Sequence, residues 1–170
     1  KIKDNLQKKQ EPTNLEITCL ASYQHLRNYS WLHLLSVPIE LDELWLRQIL
    51  EPEEESKLRL GIKTLKKTSD DTSLKVKAQY EENPYPRWVA MGIAPRAKSI
   101  KFLVELLELR DTHGDVWNTT TPEILIAGCG TGRHSIGTAS NFKNSNILAI
   151  DLSFSSLAYA KRKTLEIGIE

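Results

Sequence analysis

Cysteine is nearly absent: Cys19 and Cys129 are the two in 170 residues, far apart and outside any CxxC pair. That excludes a disulfide scaffold and a thiolate zinc site, so no metal is expected, and it fits a reducing cytoplasm. Charge of one sign is lacking as well. The formal net charge of +1 exerts no strong pull on polyanions and disfavours nucleic acid as the main partner. No apolar run approaches membrane-spanning length, and the N-terminal KIKDNLQKKQEPTN is polar with no signal-peptide core. Neither a membrane partner nor secretion is therefore expected. In that setting Asn28-Tyr29-Ser30 and Asn118-Thr119-Thr120 are chance matches to a glycosylation signal. Methionine occurs once, as Met91, so the chain does not begin with an initiator and is expected to be a piece of something longer.

What is present is a 40% hydrophobic content suited to a globular protein. The first third reads as helical. Asn14 is a plausible N-cap, and Leu15, Cys19, Tyr23 and Leu26 recur at helical spacing behind it. Leu41, Leu44, Trp45 and Ile49 signal a second helix, with Asp42 and Glu43 at the positive end of its dipole. Pro52 followed by Glu53, Glu54 and Glu55 reads as a new helix start, with Leu58, Ile62 and Leu65 as its buried stripe. KKTSDDTS (residues 66–73) contains no apolar residue and is the best boundary. Residues 1–73 then form a helical N-terminal region, and residues 74–170 begin a second domain.

A short helix over residues 74–80 breaks in NPYPRW, where Pro84 and Pro86 hold Asn83 and Tyr85 extended. Ile100, Leu103, Val104 and Leu107 place a further helix over 95–110, with His113 beside Gly114 at its end and a loop, DVWNTTTP, after it. The pattern then changes. Residues 124–127 and 147–150 are short, continuously apolar and branched, as expected of parallel strands covered on both faces. A helix over 133–140 fits between them. Ser153 caps a last helix whose Leu157, Ala158, Lys161 and Leu165 share a side, with Gly168 at its end. Strand–helix–strand–helix is the unit of an α/β, doubly wound, Rossmann-like sheet.

In such a unit a ligand sits beyond the carboxyl ends of the strands, which is where Gly128, Gly130 and Gly132 lie. Glycine there permits positive φ and lets a ligand approach the backbone. The helix N-terminus behind it favours an anion. Asp151 ends the second strand, and a carboxylate at that point accepts hydrogen bonds from the vicinal hydroxyls of a ribose. Together these describe a pocket for an adenosine-type molecule. A GxGxxG dinucleotide loop would need glycine where Arg133 stands, and no glycine–lysine pair makes a P-loop.

With GxGxG in place, ILIAGCGTG followed by LAIDLS resembles the first two motifs of the class I S-adenosylmethionine-dependent methyltransferases. The resemblance implies that Gly128, Gly130 and Gly132 hold the methionine part of S-adenosylmethionine and that Asp151 binds its ribose. AQYEENPYPRW and DLSFSSLAYAKRKTLEIGI are similar to a bacterial subfamily whose domain often follows tetratricopeptide repeats. That likeness spans about residues 78–170; upstream the helices are only similar to the region preceding the domain there. The implied reaction is methyl transfer to an unidentified acceptor, leaving S-adenosylhomocysteine, with no assigned catalytic residue.

The expected cofactor-binding set is Gly128, Cys129, Gly130, Gly132, Asp151, Leu152, Tyr80 and Arg87. Each member also has a plainer role. Asp151 could merely cap the next helix, and Cys129 is a small side chain behind the loop, with no base to make it a nucleophile. Arg133 either meets the cofactor carboxylate or is solvated, and His134 is a surface residue. Tyr80, Asn83, Tyr85, Arg87 and Trp88 either line the pocket or cover the sheet edge. Groups facing the acceptor usually come, in the family, from later strands. Two strands cannot make a covered doubly wound sheet, so a truncated domain lacking about another hundred residues is expected, with self-association through the exposed edge. The alternatives are a non-catalytic helical and nucleotide-fold interaction module, or an NAD-binding oxidoreductase, which Arg133 disfavours.

Overall fold

The computed structural model describes residues 10–36, 38–65, 69–109 and 114–169. By its internal contacts the chain divides into two compact units, Lys1–Lys57 and Leu58–Glu170. Part of the expected 66–73 boundary, and His113, lie outside the described residues. Among the described residues no helix is long and apolar enough to cross a membrane.

In the first unit, helix α1 (Asn14–Tyr23) starts at its expected cap, so the true cap lies one residue earlier. Thr13 is the N-cap: its side chain accepts from the Glu16 amide, and its own N–H donates to the Glu16 carboxylate at 3.0 Å. This reciprocal capping box satisfies two of the donors that a helix start leaves over. The buried face is likewise not the expected one. Leu15 and Tyr23 are 72% and 88% exposed and Cys19 is exposed, whereas Ile17 is buried at 2%. Ile17 packs with Leu26 and Ile49, and Leu20, Ala21, Leu44 and Trp45 surround them. Gln48 ties the chain reversal together: its Oε1 accepts from the Leu26 amide at 2.9 Å and its Nε2 donates to the Ala21 carbonyl at 3.1 Å.

The second helical stretch also departs from expectation at Pro52. Helix α2 (Asp42–Trp45) continues through a wide turn, Leu46–Leu50, directly into α3 (Glu51–Arg59). A proline lacks its amide and crowds the carbonyl four residues back. In the wide turn the Glu51 amide bonds to the Leu46 carbonyl, five residues back, which absorbs that conflict without ending the helix. The expected stripe beyond it does not form: α3 stops at Arg59 and Leu65 is 76% exposed.

In the second unit, Asp70 caps α4 (Asp71–Glu82) through the Ser73 amide. Helix α5 (Ile100–Leu106) is shorter than the expected 95–110. Ser99 caps it, and the chain leaves it at Leu107, with Glu108 at φ 51°. A helical turn, α6 (Gly114–Trp117), runs into the start of the expected DVWNTTTP loop. Strand β1 (Glu123–Ala127), helix α7 (Arg133–Asn141), strand β2 (Asn146–Ile150) and helix α8 (Phe154–Ile167) follow in order. The strands pair in parallel with Ala127 opposite Ile150, making a mixed helix–strand unit around a two-stranded sheet.

The strands are not covered on both faces. Leu125 and Leu148, register partners on one face, are 61% and 58% exposed, while Ile126 on the other is buried. Side chains alternate between faces along a strand, so one face is dry and one wet. Helix α8 buries Ala158, Tyr159, Arg162 and Lys163, leaving Leu165 58% exposed and Lys161 outside. Helical spacing among apolar residues misassigned this face because two cations lie on the buried side. Lys163 donates to the Val89 carbonyl at 2.8 Å and to Glu166 at 2.9 Å, and Arg162 pairs with Glu166 at 3.0 Å. Buried charge is tolerated when it is paired in this way.

Ile17→Ala removes a fully enclosed side chain and should cost about 2–4 kcal/mol. Leu15→Ala, on the wet face of the same helix, should cost less than about 0.5 kcal/mol. Chemical denaturation of the two variants measures the difference, and equal losses would restore the expected stripe.

Candidate functional site

Parallel pairing sets the site. Because Ala127 and Ile150 are register partners, both strands end at the same level, and the two segments that leave them meet. The amides of Gly128 and Cys129 both donate to the Ile150 carbonyl, at 2.8 and 3.0 Å. The loop is thus laid across the end of β2. Gly128, Gly130 and Gly132 take φ of 72°, 54° and 84°, the left-handed region that glycine enters without penalty.

Asp151 lies against this loop. Its Oδ2 accepts from the Gly130 amide at 2.8 Å and its Oδ1 from the Ser153 amide at 2.9 Å. The second bond begins the turn into α8, where Ser153 Oγ accepts from the Ser156 amide at 3.0 Å. Ser153 is thus the cap of α8, and Asp151 joins the glycine loop to the turn before that helix rather than capping it. A carboxylate oxygen accepts two hydrogen bonds, so each oxygen keeps capacity for a further donor such as a hydroxyl.

The space beside the loop differs from one glycine to the next. A Cβ on Gly128 would meet nothing within 4 Å, so the backbone there is open to a ligand. A Cβ on Gly132 would come to 2.5 Å from Ala160 Cβ and 3.1 Å from its Cα. Gly132 thus serves the packing of α7 against α8, and its carbonyl accepts from the Ile136 amide and the Ser135 hydroxyl. Cys129 is buried at 7%. Burial, and then the neighbouring Asp151 charge, push its thiol up to about 11, so it remains a neutral thiol at physiological pH.

The other expected contributors are distributed less simply. Leu152 follows Asp151 and is 41% exposed. Tyr80, in α4, offers its main-chain carbonyl to the Ser153 hydroxyl at 3.0 Å. The Arg87 guanidinium lies 4.7 Å over the Tyr159 ring. Asn83 is the C-cap of α4, Tyr85 is 73% exposed, and Arg133 and His134 are exposed at the start of α7. Trp88 is buried, and its indole N–H donates to the Thr131 carbonyl at 3.1 Å. Thr131, 2% exposed, in turn donates its hydroxyl to the Pro86 carbonyl at 2.6 Å.

Two residues absent from the sequence reading sit at this site, Thr131 and Glu81. The Glu81 carboxylate accepts from the Phe154 amide and the Ser155 hydroxyl and pairs with Arg59. Burial alone would raise its carboxyl, but the Phe154 amide, Arg59 and Ser155 together hold it below its ordinary value. No local pattern marks either residue, since their partners stand far along the chain.

Two shallow concavities lie elsewhere. One of about 390 Å³ runs along α7 by Leu103, His134 and Asn141, and one of about 400 Å³ lies on the sheet by Leu125 and Leu148. Neither is lined by Gly128, Gly130, Gly132 or Asp151.

Gly132→Ala combines a forbidden φ with a backbone clash and should destabilise the second unit by about 3 kcal/mol or prevent its folding, as thermal unfolding would report. In thiol labelling at pH 8, Cys19 should react at the rate of an exposed thiol and Cys129 at least about tenfold more slowly. Equal rates would mean that the loop does not cover Cys129.

No family model matches the chain, and no solved structure matches it. Among curated proteins, 84 of its residues, 49% of the chain, align at 29% identity with a tRNA (guanine-N(7)-)-methyltransferase of Clostridium novyi (strain NT). The alignment covers 39% of that relative's length. The chain is thus distantly and partially similar to a methyltransferase, in agreement with the relationship that the glycine-loop and LAIDLS motifs suggested.

Proposed function

We propose that the chain carries the first half of an S-adenosylmethionine site and serves a cytoplasmic methyltransferase of the tetratricopeptide-associated subfamily. One observation carries this reading: the Gly130 amide and the Asp151 carboxylate meet at 2.8 Å beyond the ends of two parallel strands. A glycine loop and a strand-end acid in contact are the geometry that an adenosyl ligand bridges. The residues fit the group. Open backbone beside Gly128 admits the amino-acid portion, and the oxygens of Asp151 retain acceptor capacity for a ribose diol. The bound cofactor supplies an activated methyl group, and the protein's task in such a displacement is alignment and exclusion of water.

The methyltransferase name of the partial relative supports the reaction class. The acceptor in that relative's name is a guanine of tRNA, whereas the net charge of +1 on this chain favours no polyanion. The exposed face at Leu125 and Leu148 supports a sheet that a further covering layer completes. The outer edges of the two-stranded sheet, left unpaired, would favour self-association.

Calorimetric titration of S-adenosylhomocysteine into the full-length protein tests this. Wild type should bind, and Asp151→Ala should weaken binding at least about tenfold through loss of charge-assisted hydrogen bonds. No binding by wild type would favour the interaction module, and binding of NAD instead would favour the oxidoreductase.

A further inference from the structure

Both halves of the candidate site are gripped from outside the strand–helix–strand unit by one short stretch, residues 80–88. At its start, Tyr80 and Glu81 hold the entry to α8. The Tyr80 carbonyl accepts from Ser153 Oγ at 3.0 Å, and the Glu81 carboxylate accepts from the Phe154 amide and, at 3.0 Å, from the Ser155 hydroxyl. Ser153 is also the residue whose amide holds Asp151 Oδ1. At its end, Pro86 and Trp88 hold the glycine loop through Thr131. The indole N–H donates to the Thr131 carbonyl at 3.1 Å, and the Thr131 hydroxyl donates to the Pro86 carbonyl at 2.6 Å. Thr131 adjoins Gly130, whose amide holds Asp151 Oδ2.

Each grip therefore falls on, or within two residues of, a residue whose amide binds the Asp151 carboxylate. The Thr131 grip is reciprocal, with a side chain on each partner serving the main chain of the other, and both Thr131 and Trp88 are buried. Pro84 stands between the grips and Pro86 begins the second; both fix φ and lower the entropy lost when the stretch is ordered. Behind Trp88, Tyr159 packs edge-on at 6.1 Å and Lys163 lies 5.3 Å over the indole, so the far end of the stretch has a rigid footing on α8.

We propose that residues 80–88 form a brace that sets the separation of the glycine loop from Asp151, with Glu81 and Trp88 as positioning residues for the ligand. This rests on the S-adenosylmethionine reading above. Glu81 and Trp88 act through the loop and the α8 entry, and Tyr80 contributes through its carbonyl.

The test is calorimetric titration of S-adenosylhomocysteine into the full-length protein, with hydrogen exchange of the 128–132 amides as a second readout. Thr131→Val removes the hydroxyl at nearly constant shape and should raise Kd about tenfold, the effect of one buried hydrogen bond. It should also speed exchange in the loop. Thr131→Ser restores the hydroxyl and should stay within about twofold of wild type. Trp88→Phe, which keeps an aromatic ring but loses the N–H, provides an independent variant and should weaken binding to the same degree. Val and Ser variants that bind alike, or a Thr131→Val variant that binds like wild type whatever its thermal stability, would overturn the brace. Wild type that fails to bind would overturn the cofactor reading and the brace together. Binding by wild type, lost in Asp151→Ala but kept in Thr131→Val and Trp88→Phe, would overturn the brace alone.

Discussion

A single carboxylate holds the candidate site of the second unit together. Asp151 receives one amide from the glycine loop and one from the turn into α8, so two segments converge on its two oxygen atoms. Hydrogen bonds to an ionised acceptor are the stronger kind, and here they join parts that no continuous secondary structure connects. The convergence depends in turn on register. With Ala127 opposite Ile150, the loop amides reach the Ile150 carbonyl; a slip of one residue would point every strand side chain to the opposite face.

Around this point the protein combines polar side chains with tight packing. Gly132 lets α7 approach α8 to a distance that excludes any Cβ. Cys129 fills the inner side of the loop as a neutral thiol. The α8 face that backs the site carries Arg162 and Lys163, paired with Glu166 and stacked on Tyr159 and Trp88. Long cationic side chains pack their stems like hydrophobic residues while their heads find partners. That accounts for a face whose polarity, read alone, looked solvent-bound.

The existence of most elements was legible in the sequence. Short branched runs marked both strands, Ser153 marked the start of α8, and Gly168 at φ 73° marked its end. These are local effects, set by backbone sterics and the capping of free amides. The juxtaposition of Gly130 with Asp151 was legible too, because the glycine spacing, the intervening helix and the strand-end acid form one short pattern. Less legible were the faces. Ile17 rather than Leu15 is buried, and Pro52 lies within a continuous helical run, because each outcome depends on which neighbours the rest of the chain supplies.

By itself, then, the sequence determined that both strands and the helices after them exist, where positive φ is required, and which acid ends the second strand, since each depends on residues a few positions apart. Only the tertiary structure decided which helix faces are dry, which strand face stays open, and that Trp88 and Glu81 reach Thr131 and Ser155 beside the candidate site. The faces rest on packing between separate elements and the contacts on hydrogen bonds between residues 43 to 74 positions apart, over which no local pattern carries information.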